Sequence, residues 1–176
     1  MVAAQPVPPF FPPQAGLPQM PKVFGLKPRK NYLPWSHAEE RLARSRNYWI
    51  CTVRPNGRPH ATPVWGFWLE GALYFGTARS SRKALNLAHN ANLSVHLESG
   101  DDVVILEGAA AEVSEKEEFQ RLDAASRKKY QMPLLIIPGE SVVYRVRPRV
   151  VLAWLESDLP GSGTRWQFPV AAGENR

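Results

Sequence analysis

The stretch Asn47–Thr77, "NYWICTVRPNGRPHATPVWGFWLEGALYFGT", decides the fold. Its apolar runs are rich in β-branched and aromatic residues, which suit a pleated, half-buried surface better than a helix. Asn56-Gly57 is a type I′ hairpin signal, and Glu70-Gly71 marks a second turn. Three consecutive strands are therefore predicted at about 48–54, 58–69 and 72–77. Further on, "LSVHLE" (93–98) reads as a fourth strand and "DVVILEGAAAEV" (102–113) as a long fifth, with Gly100-Asp101 between them. "SVVYRVRPRVVLAWLE" (141–156) gives two short strands broken near Pro148, and "TRWQF" (164–168) adds an edge strand.

Helical patterns interrupt the strands. "SHAEERLARSR" is read as a helix over 36–46, with Ser36 and Glu39 as a capping box. A second helix is placed at about 81–89. Ser114 and Glu117 form another capping box, opening a helix to about Tyr130 with Phe119, Leu122 and Ala125 on one face. Antiparallel hairpins plus two or three short helices make a mainly β, α+β chain and argue for a closed or half-closed barrel. No alternating βαβ units and no GxGxxG or GKS/T loop appear, which argues against a Rossmann or P-loop nucleotide site.

A length of 176 residues suits one domain with a tail to spare. Residues 1–34 hold nine of the 17 prolines and read as an extended arm or as disorder, since proline removes donors and fixes φ. Phe10, Phe11 and Phe24 of the arm are candidates for packing on a partner subunit. The barrel domain is assigned to 35–170 and a tail to 171–176. The net charge of +6 owes +4 to the arm, leaving 18 basic against 16 acidic residues elsewhere. No basic face emerges, so nucleic-acid binding is not expected. No apolar run reaches the roughly 18 residues of a membrane span, and the N-terminus lacks the n- and h-regions of a signal peptide. A cytoplasmic setting is the expectation, with Cys51 a small core residue inside "YWICTV".

The strand ending in Thr77 runs into "ARSSRKALNLAHN" (78–90), which places hydroxyls and two cations at the mouth of a helix. Helix N-termini carry unpaired N–H groups and a positive dipole end. Ser80 or Ser81 can cap the helix, and the plain reading is that Ser81 simply caps it while Arg82 and Lys83 are solvated. Cations in a first turn oppose the dipole, however, and a phosphate bound there would satisfy N–H, hydroxyl and charge together.

"NGRPHATPVW", "YFGT" and "SSRKALNL" together resemble the pyridoxamine 5′-phosphate oxidase-like family, over about residues 36–168. The resemblance implies an antiparallel split β-barrel of Greek-key type, binding FMN or the deazaflavin F420. It implies that Ser81, Arg82 and Lys83, with Thr77, hold the cofactor phosphate. The strand bearing Thr62, Pro63, Val64 and Trp65 would run beside the flavin ring, with core packing the alternative for Trp65. Trp154 and Arg165 resemble a late Trp and Arg that reach the cofactor of a neighbouring subunit; a core role and a surface ion pair are their alternatives. A homodimer with the cofactor at its interface follows from the same resemblance.

Departures narrow the activity. Members that oxidise vitamin B6 phosphates carry Arg-x-His shortly before the late Arg, where this chain has Gly161 and Gly163. Phe67 replaces a substrate-gripping Lys, and Val103 replaces a Gln that contacts the flavin. The expectation is an oxidoreductase using FMN or F420 on a small organic substrate, with no catalytic residue assigned. His60 lies on the flavin-side hairpin and could face the ring, but a lone strand histidine is more often structural. The rival is a non-catalytic barrel that carries a flavin or haem-type cofactor. Arg54, Arg58 and Arg79 are candidates for the acidic tail of F420 or are solvated. Neither a metal site nor a disulfide is indicated, and truncation of residues 1–34 is expected to leave the barrel folded.

Overall fold

The structure is a computed structural model that describes residues 13–169. Phe10, Phe11 and the tail 171–176 lie outside the described residues. Nine strands form one antiparallel sheet: β1 (Gln14–Gly16), β2 (Asn47–Val53), β3 (Pro59–Trp65), β4 (Phe67–Leu69), β5 (Ala72–Ala78), β6 (Asn92–His96), β7 (Asp102–Glu112), β8 (Ser141–Leu155) and β9 (Thr164–Gln167). The main path is β1-β9-β8-β7-β6-β2-β3, while β5 pairs with β4 and β8 off it. Four helices accompany the strands: α1 (Trp35–Arg44), α2 (Arg82–His89), α3 (Lys116–Tyr130) and α4 (Leu159–Ser162). This is the split barrel of the expected mainly β, α+β class, with α4 an unforeseen extra turn. Asp158 caps α4 by accepting from Gly161 N–H at 3.0 Å, a cap legible in Asp158 followed by Pro160.

The split is the work of β8. Its first half pairs with β5 (Leu73↔Val146 to Ala78↔Ser141), its second with β9 (Val150↔Gln167 to Ala153↔Thr164), and β7 runs beside both. Pro148 does not break this strand, contrary to expectation. A register shift between Glu107 and Gly108 absorbs it, with Gly108 opposite Pro148. A Cβ on Gly108 would come within 2.1 Å of the Arg147 carbonyl oxygen, so no side chain fits at the bend.

The strand expected over 58–69 is instead interrupted at Gly66. A Cβ there would lie 2.7 Å from the Tyr74 carbonyl oxygen and 3.1 Å from the Tyr48 ring. Neither capping box forms. Trp35 opens α1, and its ring packs on Trp68, Trp166 and Phe168 at 6.1, 5.5 and 5.2 Å, so aromatic packing anchors the first turn that Ser36 was expected to cap. Ser114 turns to the Glu115 carboxylate (3.2 Å), and α3 is tied to the sheet by Glu118, which is buried and accepts from Arg145 Nη1 at 2.9 and 3.1 Å.

Tyr48, Ile50, Phe75, Leu106, Val146, Val151 and Trp166 fill the barrel, and a second cluster of Phe67, Tyr74, Leu122 and Val143 lies under α3. Each such side chain contributes roughly 1.5–3 kcal/mol of burial. The arm is more than a tail: β1 adds an edge strand to β9, and a 3-10 turn follows at Lys22–Phe24. Edge placement suits a proline-rich segment with few donors. Phe24 is 47% exposed and leaves the single-chain core alone. No described helix is long and apolar enough to cross a membrane.

Candidate functional site

β5 delivers Thr77 to the mouth of α2, and Ser81 caps that helix, its Oγ accepting from Ala84 N–H at 3.4 Å. Thr77 Oγ1 donates to Ser81 Oγ at 3.0 Å and accepts from Lys83 Nζ at 3.1 Å. Hydroxyl, hydroxyl and ammonium thus form one chain. Ala84 and Leu87 hold α2 to the core, and its buried Asn86 donates to the buried Thr52 hydroxyl of β2 at 2.9 Å. The first turn is thereby fixed against β2, next to β3.

Positive charge concentrates there. Burial pushes the Lys83 ammonium below its ordinary range. His60 of β3 is also held low, first by burial and then by the fields of Arg54, Lys83 and Arg82. Those four groups therefore share one neighbourhood. Among the described residues no carboxylate forms an ion pair with Arg54, Arg82 or Lys83. The Arg54 Nε is buried without a hydrogen-bond partner. Arg79, a candidate for an acidic tail, is instead committed to Glu112 through contacts of 3.1 and 2.8 Å. Arg58 sits at the exposed β2–β3 turn.

β3 is the free end of the sheet path, which is why Pro63 is tolerated inside it. Thr62 and Val64 share the half-buried face with His60, while Pro63 and Trp65 share the exposed one. Trp65 is neither core nor free. It is 45% exposed, stacked on Tyr130 at 4.7 Å and 6°, with the Arg46 guanidinium 5.3 Å over its ring.

That stack belongs to a group the sequence reading missed. The Tyr130 hydroxyl accepts from Gly66 N–H at 2.9 Å and donates to the Arg46 carbonyl at 2.7 Å. Lys129 Nζ donates to Tyr48 Oη at 2.8 Å and to the Gly66 carbonyl at 3.0 Å. Burial lowers the Lys129 ammonium to about 8, and it raises the Tyr48 phenol strongly, with Tyr130 adding to that shift. "KKY" at 128–130 reads only as a cationic last turn in sequence; nothing local shows that Lys129 and Tyr130 close the β3–β4 corner.

Trp154 and Arg165 stand elsewhere. Trp154 of β8 lies opposite Val103 and is half-buried, and Arg165 of β9 donates to Gln167 Oε1 at 2.9 Å. Thr77 pairs with Val142 near the start of β8, whereas Trp154 stands near the far end of that strand and Arg165 pairs with Leu152 beside it. One protomer therefore brings together Thr77, Ser81, Arg82 and Lys83 beside β3 and leaves Trp154 and Arg165 apart. A cavity of about 450 Å³ between α3 and the following segment, lined by Phe119, Asp123, Leu134 and Ile136, does not touch the cation cluster.

An antiparallel barrel divided by one bent strand is the architecture of the split-barrel class. A sequence model of the family described as pyridoxamine 5′-phosphate oxidase matches residues 35–155, more than half of the chain, and the protein belongs to that family. Members of the family bind FMN or F420. No curated protein matches in sequence. Among solved structures, the conserved hypothetical protein Rv2991 from Mycobacterium tuberculosis is 24% identical with a TM-score of 0.63, covering 81% of this chain and 93% of its own. A protein described as an F420 reductase is 21% identical with a TM-score of 0.52, covering 70% and 97%. General Stress Protein 26 from Bacillus anthracis str. Sterne is 22% identical with a TM-score of 0.55, covering 67% and 91%. At these identities the likeness is one of fold.

The donor set fits a phosphate-bearing cofactor. The mouth of this eight-residue helix carries two linked hydroxyls bonded to Lys83, and Arg54 and Arg82, like Lys83 without a carboxylate partner among the described residues, act on the neighbouring His60. Each favours an anion, and none has an internal one.

Proposed function

We propose that the protein is an oxidoreductase that uses FMN or F420 to move a hydride to or from a small organic substrate. The observation that carries this reading is the linked Thr77, Ser81 and Lys83 at the mouth of α2, with Arg54 and Arg82 close enough for their fields to reach His60 and, among the described residues, no carboxylate paired to any of the three cations. Ser81, Arg82, Lys83 and Thr77 would hold the cofactor phosphate. The open edge of β3, from Thr62 to Trp65, would lie along the ring. When bound, the ring supplies the hydride chemistry, and the protein supplies binding, orientation and the exclusion of water. His60, held low first by burial and then by its cationic neighbours, adds hydrogen-bonding capacity beside them. Lys129 and Tyr130 fix the β3–β4 corner and with it the ring of Trp65.

Trp154 and Arg165 lie toward the end of β8 opposite to its pairing with Thr77, away from this cluster. We place them at the cofactor of a second copy, in a homodimer with two interfacial sites. The outer row of exposed Pro63 and half-buried Trp49, His96, Ile105 and Leu152 gives such a dimer a mostly apolar face.

The geometry opposes vitamin B6 phosphate oxidation. Phe67 is core, 6% exposed, and offers no cation. A Cβ on Gly163 would lie 2.9 Å from Leu26 Cδ2 and 3.0 Å from the Leu159 carbonyl oxygen, so a histidine there needs the corner to move. With FMN added, production of pyridoxal phosphate from the amine or alcohol should stay at background; robust turnover would contradict these assignments. The direct test of the reading is the visible spectrum of the purified protein titrated separately with FMN and F420. A saturable change with one of them is expected, and no change with either refutes it. Faster reoxidation of the reduced, bound cofactor by a candidate substrate than by buffer would separate an enzyme from a carrier.

A further inference from the structure

The N-terminal arm grips the β8–β9 corner at several points. Arg29 spans it: Nη1 donates to the Pro160 carbonyl at 2.7 Å, Nη2 to the Gly163 carbonyl at 2.5 Å, and Nε ties back to the Asn31 carbonyl at 3.1 Å. Leu33 N–H donates to Thr164 Oγ1 at 3.0 Å, and that fully buried hydroxyl donates to the Ser162 carbonyl at 2.7 Å. Leu26 packs against Gly163, and β1 lies on β9 with Gly16 opposite Arg165.

These contacts answer a need of the corner itself. Gly161 and Gly163 leave the backbone there with wide conformational freedom. The carbonyls at the end of α4 lack intrahelical donors, and a planar guanidinium can bridge two of them at once. Among the described residues Arg29 forms no ion pair with a carboxylate. Its charge is spent on the two carbonyls and on the Tyr32 ring, 4.9 Å away.

Trp154 and Arg165 flank this corner. On the reading given under Proposed function, on which this inference rests, they reach the cofactor of the partner protomer. We propose that Arg29 is a positioning residue for that contribution: the arm of one protomer sets the aim of its Arg165 and so the cofactor affinity of the other protomer's site.

The experiment uses full-length R29A, R29K, R165A and the R29A/R165A double variant, each titrated with FMN and with F420. R82A/K83A serves as the control for the phosphate site. Hydrogen exchange over 159–167 is followed in the cofactor-free protein. Expected are faster exchange in R29A, an affinity loss of about three- to tenfold, the size of one lost hydrogen-bond contribution, and an intermediate R29K. The R29A/R165A variant should bind no more weakly than R165A, because Arg29 acts through Arg165. Wild-type affinity in R29A or R29K, unchanged exchange, or losses that multiply in the double variant would each overturn the inference. If R82A/K83A binds normally, the proposed function falls and this inference with it. If R82A/K83A loses binding and R29A does not, only the inference falls.

Discussion

At the scale of residues, burial turns ordinary side chains into unusual ones. Lys129 has no carboxylate partner among the described residues, and its amine is held near 8 between Tyr48 and Gly66. A lysine whose folded pKa lies below its unfolded value of about 10.4 binds fewer protons when folded. Stability must therefore rise with pH through that window, from about 8 to about 10. A full shift of that size corresponds to about 3 kcal/mol, and solvent reaching the half-exposed amine reduces it to about 1–2 kcal/mol. Urea unfolding of wild type and K129M at pH 7 and pH 9.5 should show the wild type gaining that much relative to the variant. A constant difference would mean that the lysine is charged at both pH values. This group was illegible in sequence because its partners are 63 and 81 residues away. The position of Ser81, Arg82 and Lys83 at the mouth of α2 was legible because a helix start is a local pattern.

At the scale of elements, one strand makes the fold. The end of β2, the start of β3 and the start of β5 are legible in the sequence, because Asn56-Gly57 and Glu70-Gly71 act within a few residues. Pro148 misled, because its missing N–H was taken as a strand end. Whether a proline ends a strand depends on the strand opposite: the register skips Arg149 of β8, and Gly108 of β7, opposite Pro148, leaves room for the bend. The capping boxes misled for a similar reason: tertiary contacts of Trp35 and Glu118 outweighed local caps worth about 1 kcal/mol. G108A should cost roughly 3 kcal/mol or more, since its Cβ would meet backbone rather than a yielding side chain. A thermal midpoint within a degree of wild type would show that the bend tolerates a side chain.

At the scale of the whole molecule, the residues proposed for the cofactor lie on different parts of the described chain. Thr77 pairs with Val142 near the start of β8, while Trp154 stands near the far end of that strand and Arg165 beside it on β9. Assembly, which no single-chain pattern encodes, is what the resemblance to the family supplied. Light scattering at micromolar concentration should give twice the 19.8 kDa chain mass. A monomer would remove Trp154 and Arg165 from the site. The arm matters at this scale as well. Truncation at residue 34 was expected to spare the fold, yet it would delete β1 and the Arg29 and Leu33 contacts to the corner.

The central claim is that the mouth of α2 holds the phosphate of FMN or F420, and the R82A/K83A variant tests it most directly. Removing two cations from a first turn relieves the helix dipole by a few tenths of a kcal/mol each, offset in part by the lost Lys83–Thr77 hydrogen bond. The thermal midpoint should therefore stay close to that of the wild type. Each charge-assisted bond to a phosphate contributes roughly 1.5–3 kcal/mol, and the two need not add because they share one anion. Titration of wild type and variant with each cofactor should thus show a loss of at least about tenfold for the one the wild type binds. Unchanged affinity in a folded variant would contradict the phosphate site and the function built on it.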